Sequence, residues 1–384
     1  MRRGAMTRIE VVRDAVRFQE VEAAWLALWR RSDADVFQHH GWIAAWWHEC
    51  GAGYRLRVGL AWQGEELVAV LPLAIRSWRG LRLLEWAAQS FSDYCDIIGS
   101  PSVLEELWAA VAAAGGFDVI RLKNIAPDAR VLTVLRQLGL REAPERHPHD
   151  LCLRVASQWA SGEAWFRSLN KKKRNNHTRG ARILAEFGEV AHRQYCPGEP
   201  PEPVLDRLAA LKRDWLRANK LSSPLLGNNV DVLPRLVRAL SQIGNLRIFT
   251  IECSGEIVAG SVNVVQKDKM MAFFSAYDPK YDRASPGISL MTEYTRWAFD
   301  HGITVVDYLR GGETYKFEFA NAAIELTAVV QGWSLPGKAF LAGLRALAGA
   351  KRLRARLRSG PEALPAVPAY GGAYLTQSGM SRIR

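Results

Sequence analysis

One order of secondary structure occurs twice along this chain, and it limits the fold more than any other feature of the sequence. In each copy, a hairpin of two apolar runs around a polar turn precedes a strand, a helix, a glycine stop and a buried strand. The two copies have hairpins at 56–75 and 246–265, helices at 103–114 and 289–299, and last strands at 117–123 and 303–308. We therefore predict an α/β (α+β) fold of two duplicated domains, each a mixed, mostly antiparallel sheet flanked by helices.

The length of 384 residues agrees with a duplication, because a single compact domain seldom exceeds about 250–300 residues. The alternative is that two mixed α/β domains share a common pattern without being related. The offset of about 190 residues between the hairpins and the matching order of elements favour duplication.

Further elements surround the two copies. Apolar periodicity predicts helices at 18–30, 42–49, 165–187, 204–219 and 230–242, and strands at 81–86, 94–98 and 270–276. A proline-rich connector at 197–203 is predicted to be a surface loop. The residues after 358 are rich in Gly, Pro, Ser and Ala, which is typical of a frayed terminus.

Positive charge is concentrated in two places. The formal net charge is +12, and from residue 336 to the end nine lysines and arginines stand against Glu362 alone. The second concentration lies at 167–182, where seven basic residues occur without an acidic one. Both stretches predict contact with an anionic partner.

The cysteines are scattered and contain no C-x-x-C pair, which argues against a disulfide framework or a zinc site: Cys50, Cys95, Cys152, Cys196 and Cys253. His39 and His40 have no carboxylate at metal-ligand spacing, so we predict no metal site and expect a helix start with one exposed imidazole.

The sequence contains no apolar stretch near the ~20 residues needed to span a bilayer, and its start lacks a signal-peptide core. We expect a cytoplasmic protein. The amphipathic stretch 338–358 predicts a peripheral contact with the inner membrane surface. The alternative for this stretch is a helix that packs on the body with its charges outward.

An ordered set of motifs carries a family resemblance: FQHHGW (37–42), DYCD (93–96), SLNKKKRNNHTR (168–179), IVAG (257–260), YDPKY (277–281), SPG (285–287) and VDYLRGGETYKFEF (306–319). The set resembles the Acetyltransf_6 group of the GNAT superfamily, proteins similar to the CelD cellulose-biosynthesis protein and related to the Fem peptidyltransferases. The resemblance covers most of residues 20–333. It implies tandem GNAT folds and transfer of an acyl group from a thioester donor, acyl-CoA (acetyl-CoA), to an amine.

A donor of this kind places its pyrophosphate on unpaired N–H groups where a strand gives way to a helix. Residues 283–290 lie at such a junction. We predict that Arg283 pairs with phosphate, that Ser285 or Ser289 caps the helix, and that Gly287 allows close approach. The stretch departs from the usual Gln/Arg-x-x-Gly-x-Gly/Ala signature at Ser289, and an ordinary capped helix start is the alternative.

The stretch 307–316 ends a buried strand with ionisable side chains, which is where α/β folds hold ligands. Glu313 or Asp307 is the predicted base for the ammonium proton. Tyr315 is predicted to protonate the leaving thiolate, and Lys316 to stabilise the oxyanion or hold a donor phosphate. A structural ion pair between Asp307 and Arg310 is the alternative, and Arg310 is otherwise predicted to bind substrate.

In the basic helix, Lys171 and Arg174 share a face at helical spacing with Thr178 and Arg182. We predict that this face binds the donor's phosphates or an anionic acceptor such as a nucleotide-sugar, and the alternative is a solvated face. RNA is disfavoured, because few aromatic residues interleave the charges for base stacking.

Residues Gln38, Asp93 and Tyr94 of the first half are predicted to bind the acceptor, and the alternative for Asp93 and Asp96 is a strand start with solvated acids. The chain divides into a first domain on the acceptor side at 1–155, connecting helices at 156–245, a donor and catalytic domain at 246–335, and a basic helix with its tail at 336–384. We predict an acyl-CoA-dependent N-acyltransferase whose acceptor is an amino sugar of surface polysaccharide biosynthesis. The alternatives are a Fem-like transferase that uses aminoacyl-tRNA, and a non-catalytic partner of a polysaccharide synthesis complex.

Overall fold

The structure is a computed structural model that describes residues 7–140, 142–144, 151–196, 202–218, 220, 226, 232–242 and 246–358. The strands of these residues are β1 (Thr7–Val12), β2 (Tyr54–Leu56), β3 (Val58–Gln63), β4 (Glu66–Leu71), β5 (Leu73–Trp78), β6 (Leu81–Trp86), β7 (Ile98–Gly99), β8 (Val119–Ile125), β9 (Glu142–Pro144), β10 (Leu151–Ala156), β11 (Val190–Tyr195), β12 (Leu246–Cys253), β13 (Glu256–Gln266), β14 (Lys269–Tyr277), β15 (Val305–Arg310), β16 (Ala322–Glu325) and β17 (Thr327–Gly332).

Helices flank these strands. They are α1 (Ala15–Glu20), α2 (Glu22–Arg31), α3 (His40–Cys50), α4 (Leu104–Ala113), α5 (Arg130–Gln137), α6 (Gly162–Ser168), α7 (Lys171–Ala185), α8 (Glu202–Ala218), α9 (Val232–Gln242), α10 (Pro286–Asp300), α11 (Thr314–Phe319) and α12 (Leu335–Arg358). The chain therefore has the mixed α/β architecture that the sequence predicts.

The sheet of the second half has the strand order β11-β12-β13-β14-β15-β10-β16. Its pairs are antiparallel except β14 and β15, which run parallel with Lys269 opposite Val305 and Met271 opposite Asp307. Beyond that last pair the ladder ends, although both strands continue, β14 for six more residues and β15 for three. The two strands therefore separate, and a cleft opens at their carboxyl ends.

The first half repeats this arrangement in two sheets, β1-β3-β4-β7 and β2-β5-β6-β8-β17-β9. The long hairpin strands are interrupted at Arg57 and at Pro72, which has no N–H to donate to a ladder. The Arg57 N–H donates to the Leu73 carbonyl over 2.9 Å and bridges the interruption. As in the second half, one pair is parallel, β6 with β8.

Both halves also carry a β-bulge at the corresponding place. In β8 the register against β17 shifts around Asn124, and in β15 the register against β10 shifts around Leu309. Both residues have left-handed backbone angles, with φ values of 59° and 56°, which are uncommon for residues other than glycine. This shared detail, together with the shared strand order, confirms the predicted duplication.

The two halves exchange one strand each. Strand β10 follows β9 in the chain, but it lies in the second sheet between β15 and β16. Strand β17 follows β16, but it lies in the first sheet between β8 and β9. The same place in each sheet is thus filled by a strand from the end of the other half, so the sheets do not follow a division into consecutive segments.

One buried apolar cluster spans both halves. It includes residues of α3, of the linking helices α8 and α9, and of β14. The ring of Trp42 in α3 meets the ring of Phe273 in β14 edge to face, with centroids 5.0 Å apart. This cluster and the exchanged strands hold the first half against the cleft of the second.

Three local predictions are wrong. Of the strand predicted at 94–98, only Ile98 lies in a strand, because Tyr94, Cys95 and Asp96 bind neighbouring elements instead of a ladder. The helix predicted at 165–187 is two helices, separated at Leu169 and capped by the Asn170 side chain, which accepts from the Lys173 N–H.

The prediction of an exposed imidazole is also wrong, since His39 and His40 are both buried. They do begin a helix, and the His39 side chain accepts from the Gly41 N–H. Most of the proline-rich connector, 197–201, and the tail after 358 lie outside the described residues.

Candidate active site

A cavity of about 200 Å³ lies where β14 and β15 separate. We call it the strand cleft. Aromatic side chains form much of its wall, and charged side chains from three other parts of the chain reach it: Asp93 before β7, Lys212 of α8, and Arg310, Glu313 and Lys316 around the start of α11. The cleft thus gathers five of the residues predicted for catalysis and substrate binding, Asp93, Arg310, Glu313, Tyr315 and Lys316.

Glu313 and Lys316 form an ion pair at this cleft. Glu313 precedes α11, and its Oε2 lies 2.9 Å from Lys316 Nζ, which also donates to the Arg310 carbonyl over 3.3 Å. Burial raises the pKa of Glu313, but the charge and hydrogen bond of Lys316, a backbone hydrogen bond and the charge of Lys212 together outweigh burial, and the net pKa lies below the usual value of glutamate. A partly exposed carboxylate is therefore held ionised beside a buried ammonium group.

Gly311 makes this pair geometrically feasible. Its φ of 140° is outside the range that other residues favour, and a Cβ there would lie 2.3 Å from Glu313 Oε2 and 2.8 Å from Lys316 Nζ. The Gly-Gly sequence before Glu313 thus allows the backbone to pass directly under the ion pair.

Tyr315 is the second residue of α11, and 39% of it is exposed. Burial raises the pKa of its hydroxyl, and the adjacent Glu313 and Tyr277 raise it further. The hydroxyl therefore keeps its proton at neutral pH and is available as a donor at the cleft.

Lys212 is a cleft residue that the sequence reasoning missed. Burial lowers the pKa of its amine, while Glu313 raises it and Lys316 lowers it. The sequence gives one signal for it. Lys212 lies on the same face of α8 as the buried Leu208 and Leu211, and a lysine interrupts the apolar pattern of that face.

Asp93 faces Arg310 across the cleft, with 3.6 Å between Oδ1 and Nε. Burial raises the pKa of Asp93 to about 6, although Arg310 and Lys316 oppose the rise. Arg310 also donates to the Asn124 side chain. The first half therefore contributes a carboxyl group that titrates close to neutral pH.

Asp307 is fully engaged in the interior. Its Oδ2 accepts from Arg154 Nε at 2.7 Å and from the Tyr94 hydroxyl at 2.8 Å, and its Oδ1 accepts from the Leu309 N–H at 2.8 Å. Its ion-pair partner is Arg154 of the exchanged strand β10, not Arg310. The side chain is completely buried and outside the cleft lining.

Tyr94 and Gln38 belong to the same interior network. The Gln38 amide donates to the Tyr94 carbonyl over 2.8 Å, and its side-chain oxygen accepts from the Asp35 N–H. Both side chains are buried, with exposures of 4% and 3%. The structure brings them together, but it places them behind the cleft and not in it.

A second cavity, of about 160 Å³, lies at the start of α10. We call it the α10 cavity. It is lined by Arg283, Ser285 and Ser289 from the predicted junction and by residues of α7. Ser285 has the left-handed φ of 50° and occupies the N-cap position without a side-chain cap bond, and Gly287 packs in the first turn against the Tyr277 ring. Pro286 has no N–H, and the Ile288 and Ser289 N–H groups both donate to the Ser285 carbonyl, which leaves the Gly287 N–H as the first-turn donor without a bond to this carbonyl.

The side of α7 that lines the α10 cavity carries Lys173, Asn176, His177, Arg179 and Gly180. Neither Lys171 nor Arg174 lines it. The Lys171 side chain is exposed, and Arg174 donates to the carbonyl oxygens of Arg167 and Leu169.

Gly180 is the residue that fixes this orientation of α7. A Cβ there would lie 2.4 Å from the Ala284 carbonyl oxygen. A glycine in the middle of a charged helix was the signal for its packed side.

The α10 cavity has an internal polar chain. Ser289 Oγ lies 3.4 Å from His177 Nδ1, and His177 Nε2 lies 3.2 Å from Glu293 Oε1. His177 lowers the pKa of Glu293 more than burial raises it. These contacts between side chains orient Ser289 and His177 near the N-terminus of α10.

Helix α10 lies between the two cavities and contributes residues to the lining of both. Its neighbouring residues Met291 and Thr292 line the strand cleft and the α10 cavity, respectively. The two cavities therefore adjoin different faces of the same part of α10. Among the described residues, we find neither a cluster of three or more His, Cys, Asp and Glu side chains suited to a metal nor a helix able to cross a membrane.

Part of the chain matches a known protein family. Residues 171–317 match the family described as an acetyltransferase (GNAT) domain. This stretch contains α7, α10, the start of α11 and most of the residues that line the two cavities, and the match supports acyl transfer as the class of reaction. A comparison with curated proteins found no match.

Three solved structures resemble almost the whole chain. FemX has a TM-score of 0.57 at 12% identity, covering 84% of this chain and 97% of its own. The C-terminal domain (DUF2156) of a putative lysylphosphatidylglycerol synthetase from Agrobacterium fabrum has a TM-score of 0.55 at 12% identity, covering 84% and 95%. A conserved protein of unknown function from Bacteroides thetaiotaomicron has a TM-score of 0.51 at 12% identity, covering 84% and 100%. These likenesses establish a GNAT-like fold related to that of FemX.

Proposed function

We propose that the protein is an N-acyltransferase that moves an acyl group from acyl-CoA to an amine. The observation that carries this proposal is the pair of cavities on either side of α10, one suited to an anion and one to acid–base chemistry. The match of residues 171–317 to the GNAT family supports it.

The α10 cavity suits the phosphates of the donor. The Gly287 N–H and the helix dipole attract an anion, and Arg283, Lys173 and Arg179 add positive charge beside them. The residues predicted from the sequence at 283–289 are all at or near this place. From here the acyl end of the donor would extend along α10 into the strand cleft.

In the strand cleft, we assign the base to Glu313. The amine nitrogen attacks the thioester carbonyl carbon, the nitrogen gives its proton to Glu313, and the carbon–sulfur bond breaks as the carbonyl reforms. Tyr315 gives its proton to the leaving thiolate, and Lys316 stabilises the negative oxygen of the tetrahedral intermediate. Because the oxygens of Asp307 are already engaged, we keep Asp307 as a positioning residue and not as a base.

The acceptor amine approaches two carboxyl groups, Asp93 and Glu313, on either side of Arg310. Two carboxyl groups attract an ammonium group, and the aromatic wall offers a surface for a sugar ring. An amino sugar of surface polysaccharide biosynthesis is the acceptor that we propose, following the resemblance of the sequence motifs to CelD-like proteins.

A donor of the aminoacyl-tRNA type is the second candidate. It is favoured by the likeness to the FemX fold and by the outward side of α7, where Lys171, Lys172 and Arg182 are exposed. Such a surface would follow a nucleic-acid backbone.

We also propose a peripheral contact with a membrane through α12. Leu335, Leu344 and Leu347 of this helix are exposed, while Phe340 packs on Trp78 with ring centroids 5.8 Å apart. Exposed leucines beside basic residues suit an anionic membrane surface.

The experiment that tests the donor is calorimetric titration of the protein with acetyl-CoA and longer acyl-CoAs. We expect saturable binding that weakens about tenfold in Arg283→Ala, as for loss of one charge-assisted contact, and is unchanged in Arg345→Ala, an exposed arginine of α12. Absence of binding at every chain length would contradict the proposal. Binding of aminoacyl-tRNA in its place would favour the second donor, and binding of neither would favour a non-catalytic role.

A further inference from the structure

A third cavity lies in the first half at the place that corresponds to the strand cleft. Its volume is about 260 Å³, and residues from the ends of β6 and β8 line it. These two strands pair in parallel only at Leu83–Leu84 with Val119–Ile120 and then separate, as β14 and β15 do. We call it the basic cavity.

The chemistry of this cavity differs from that of its counterpart. Four cationic side chains line it, Arg76, Arg121, Lys123 and Arg310, and Glu85 is the one carboxylate among the described lining residues. Glu85 is buried and lies between two of these cations, 3.1 Å from Arg76 Nε and 2.5 Å from an Arg121 nitrogen. The cavity therefore carries an excess of positive charge around a fixed, buried carboxylate.

Two buried donors of the cavity lining have no hydrogen-bond partner among the described residues. They are Trp86 Nε1, on a side chain that is 1% exposed, and Arg121 Nε. Buried donors are almost always paired, because an unpaired one keeps its full desolvation penalty. The wall of the basic cavity thus contains two donors without a partner among the described residues.

Arg310 connects this cavity with the strand cleft, since it lines both. It lies near Asp93 of the cleft on one side, and it donates to Asn124 of the basic cavity on the other. A ligand in the basic cavity and a ligand in the strand cleft would therefore both lie beside Arg310.

We propose that the basic cavity binds a phosphate group of the acceptor, so that the substrate of this protein is a phosphorylated amine. This inference rests on the proposed function for the role of the amine. Phosphate fits better than carboxylate, because it carries close to two charges at neutral pH and has more acceptor oxygens for the excess of cations and unpaired donors. The cavity is smaller than a site for a drug-sized molecule, which suits a phosphate with part of a sugar ring.

The test is calorimetric titration with glucosamine 6-phosphate, glucosamine and inorganic phosphate. It uses the Arg283→Ala protein as background, so that phosphate binding at α10 is reduced. We expect glucosamine 6-phosphate to bind at least about tenfold more tightly than glucosamine, as for one or more charge-assisted hydrogen bonds. Equal binding of the two sugars would overturn the proposal.

Variants locate the phosphate. Trp86→Phe keeps the ring and removes the N–H donor, and Lys123→Met removes a cation while keeping the length of the side chain. We expect each to weaken binding of inorganic phosphate about tenfold, and Arg13→Met, an exposed arginine of the same half, to leave it unchanged. Binding that is unchanged in both cavity variants would place the phosphate elsewhere and overturn the proposal.

A sugar phosphate and a phospholipid head group share this chemistry, and a further arm separates them. Glycerophosphoethanolamine presents a phosphodiester with an amine. Tighter binding of this compound than of glucosamine 6-phosphate, with the same sensitivity to Trp86→Phe, would assign the site to a lipid head group and still support a phosphorylated amine.

Failure of this inference is distinguishable from failure of the proposed function. Acyl-CoA binding depends on α10 and not on the basic cavity. If acyl-CoA binds and no phosphate compound does, the inference is wrong and the transferase proposal stands. If phosphate compounds bind with the expected sensitivity and acyl-CoA does not, the phosphate site stands and the transfer of an acyl group from CoA is wrong.

Discussion

Arg154 and Asp307 form an ion pair in the interior that joins the exchanged strand β10 to the central strand β15, with 2.7 Å between Nε and Oδ2. Asp307 is completely buried, and 17% of the Arg154 side chain is exposed. The Tyr94 hydroxyl, from the first half, donates to the same carboxylate oxygen. Three segments that are distant in the chain thus meet at one carboxylate.

The first prediction concerns this pair. Asp307→Asn leaves the Arg154 guanidinium without its counter-charge, so we expect the free energy of unfolding to fall by about 3–5 kcal/mol. Tyr94→Phe, which removes one hydrogen bond from the same carboxylate, should lower it by about 1 kcal/mol. Urea unfolding measures both. Wild-type stability of Asp307→Asn together with lost turnover would return Asp307 to the role of base.

The second prediction concerns the base. Glu313→Gln keeps the shape of the side chain and removes its ability to accept a proton, so we expect kcat to fall by about 10²–10⁴-fold. Acyl-CoA binding should stay as in the wild type, and loss of the half-exposed ion pair with Lys316 should lower the free energy of unfolding by no more than about 1 kcal/mol. Glu325→Gln, at an exposed glutamate of β16, is the matched control. Full turnover of Glu313→Gln would exclude this assignment.

The third prediction concerns the pH dependence of the reaction. Glu313 must be ionised to accept a proton, so turnover decreases as the pH falls through its pKa. Burial raises this pKa, and Lys316 contributes most of the opposing effects that together bring it below its usual value. Lys316→Ala removes the cation, so the acidic limb of the pH–rate profile should move to higher pH, in addition to a lower maximum. Lys280→Ala, at an exposed lysine, should leave the limb in place. A profile that only loses height in Lys316→Ala would separate Lys316 from the base.

The fourth prediction concerns stability and pH at Asp93. Burial raises the pKa of Asp93 to about 6 in the folded protein, against its usual value of 3.8. Between these values the folded state binds the proton and the unfolded state does not, so stability decreases as the pH rises. Above pH 6 the loss reaches about 3 kcal/mol from this group.

Asp93→Asn removes this titration, so its stability should change less than that of the wild type between pH 4.5 and pH 7.5. Asp96, which binds the N–H groups of Arg130 and Val131 and whose pKa burial also raises to about 6, contributes equally to both proteins and cancels in the comparison. Urea unfolding at the two pH values measures this change. The same change in the free energy of unfolding for both proteins would contradict the prediction.

The fifth prediction concerns the exchanged strands. A chain that ends at residue 326 lacks β17 and keeps every strand of the second sheet. Because β17 lies between β8 and β9, we expect hydrogen exchange to become fast at β8 and to stay slow at β12 and β13. The control is a chain that ends at residue 334, just past β17. Continued protection of β8 in the shorter chain would show that the first sheet does not depend on β17.

The sequence predicted the architecture well, because alternation and turn chemistry are local. The hairpins, the helix of α10 and the strand before Arg310 are all where their patterns place them. Local patterns could not predict which sheet β10 and β17 would join. Each is a short apolar strand that can pair in either sheet, and which sheet it joins depends on contacts between residues more than 150 positions apart.

The candidate site, like the fold, could be predicted only in part from the sequence. Glu313, Tyr315 and Lys316 lie within four consecutive positions, so the sequence alone shows that they are close together. The side of α7 that faces the α10 cavity was not, because several faces of a uniformly basic helix look alike until Gly180 meets Ala284. Lys212 was missed because it comes from a helix about 100 residues before Glu313 and Lys316 in the chain.

The strand exchange also limits how substrates reach the site. Many two-lobed enzymes admit their substrates by rotating one lobe away from the other about a flexible hinge. Here such a rotation would have to pull β10 or β17 out of the interior of a sheet and break the ladders on both of its sides. Access to the strand cleft therefore depends on smaller motions at its rim, and the distance between donor and acceptor is set when the chain folds and not when the substrates bind.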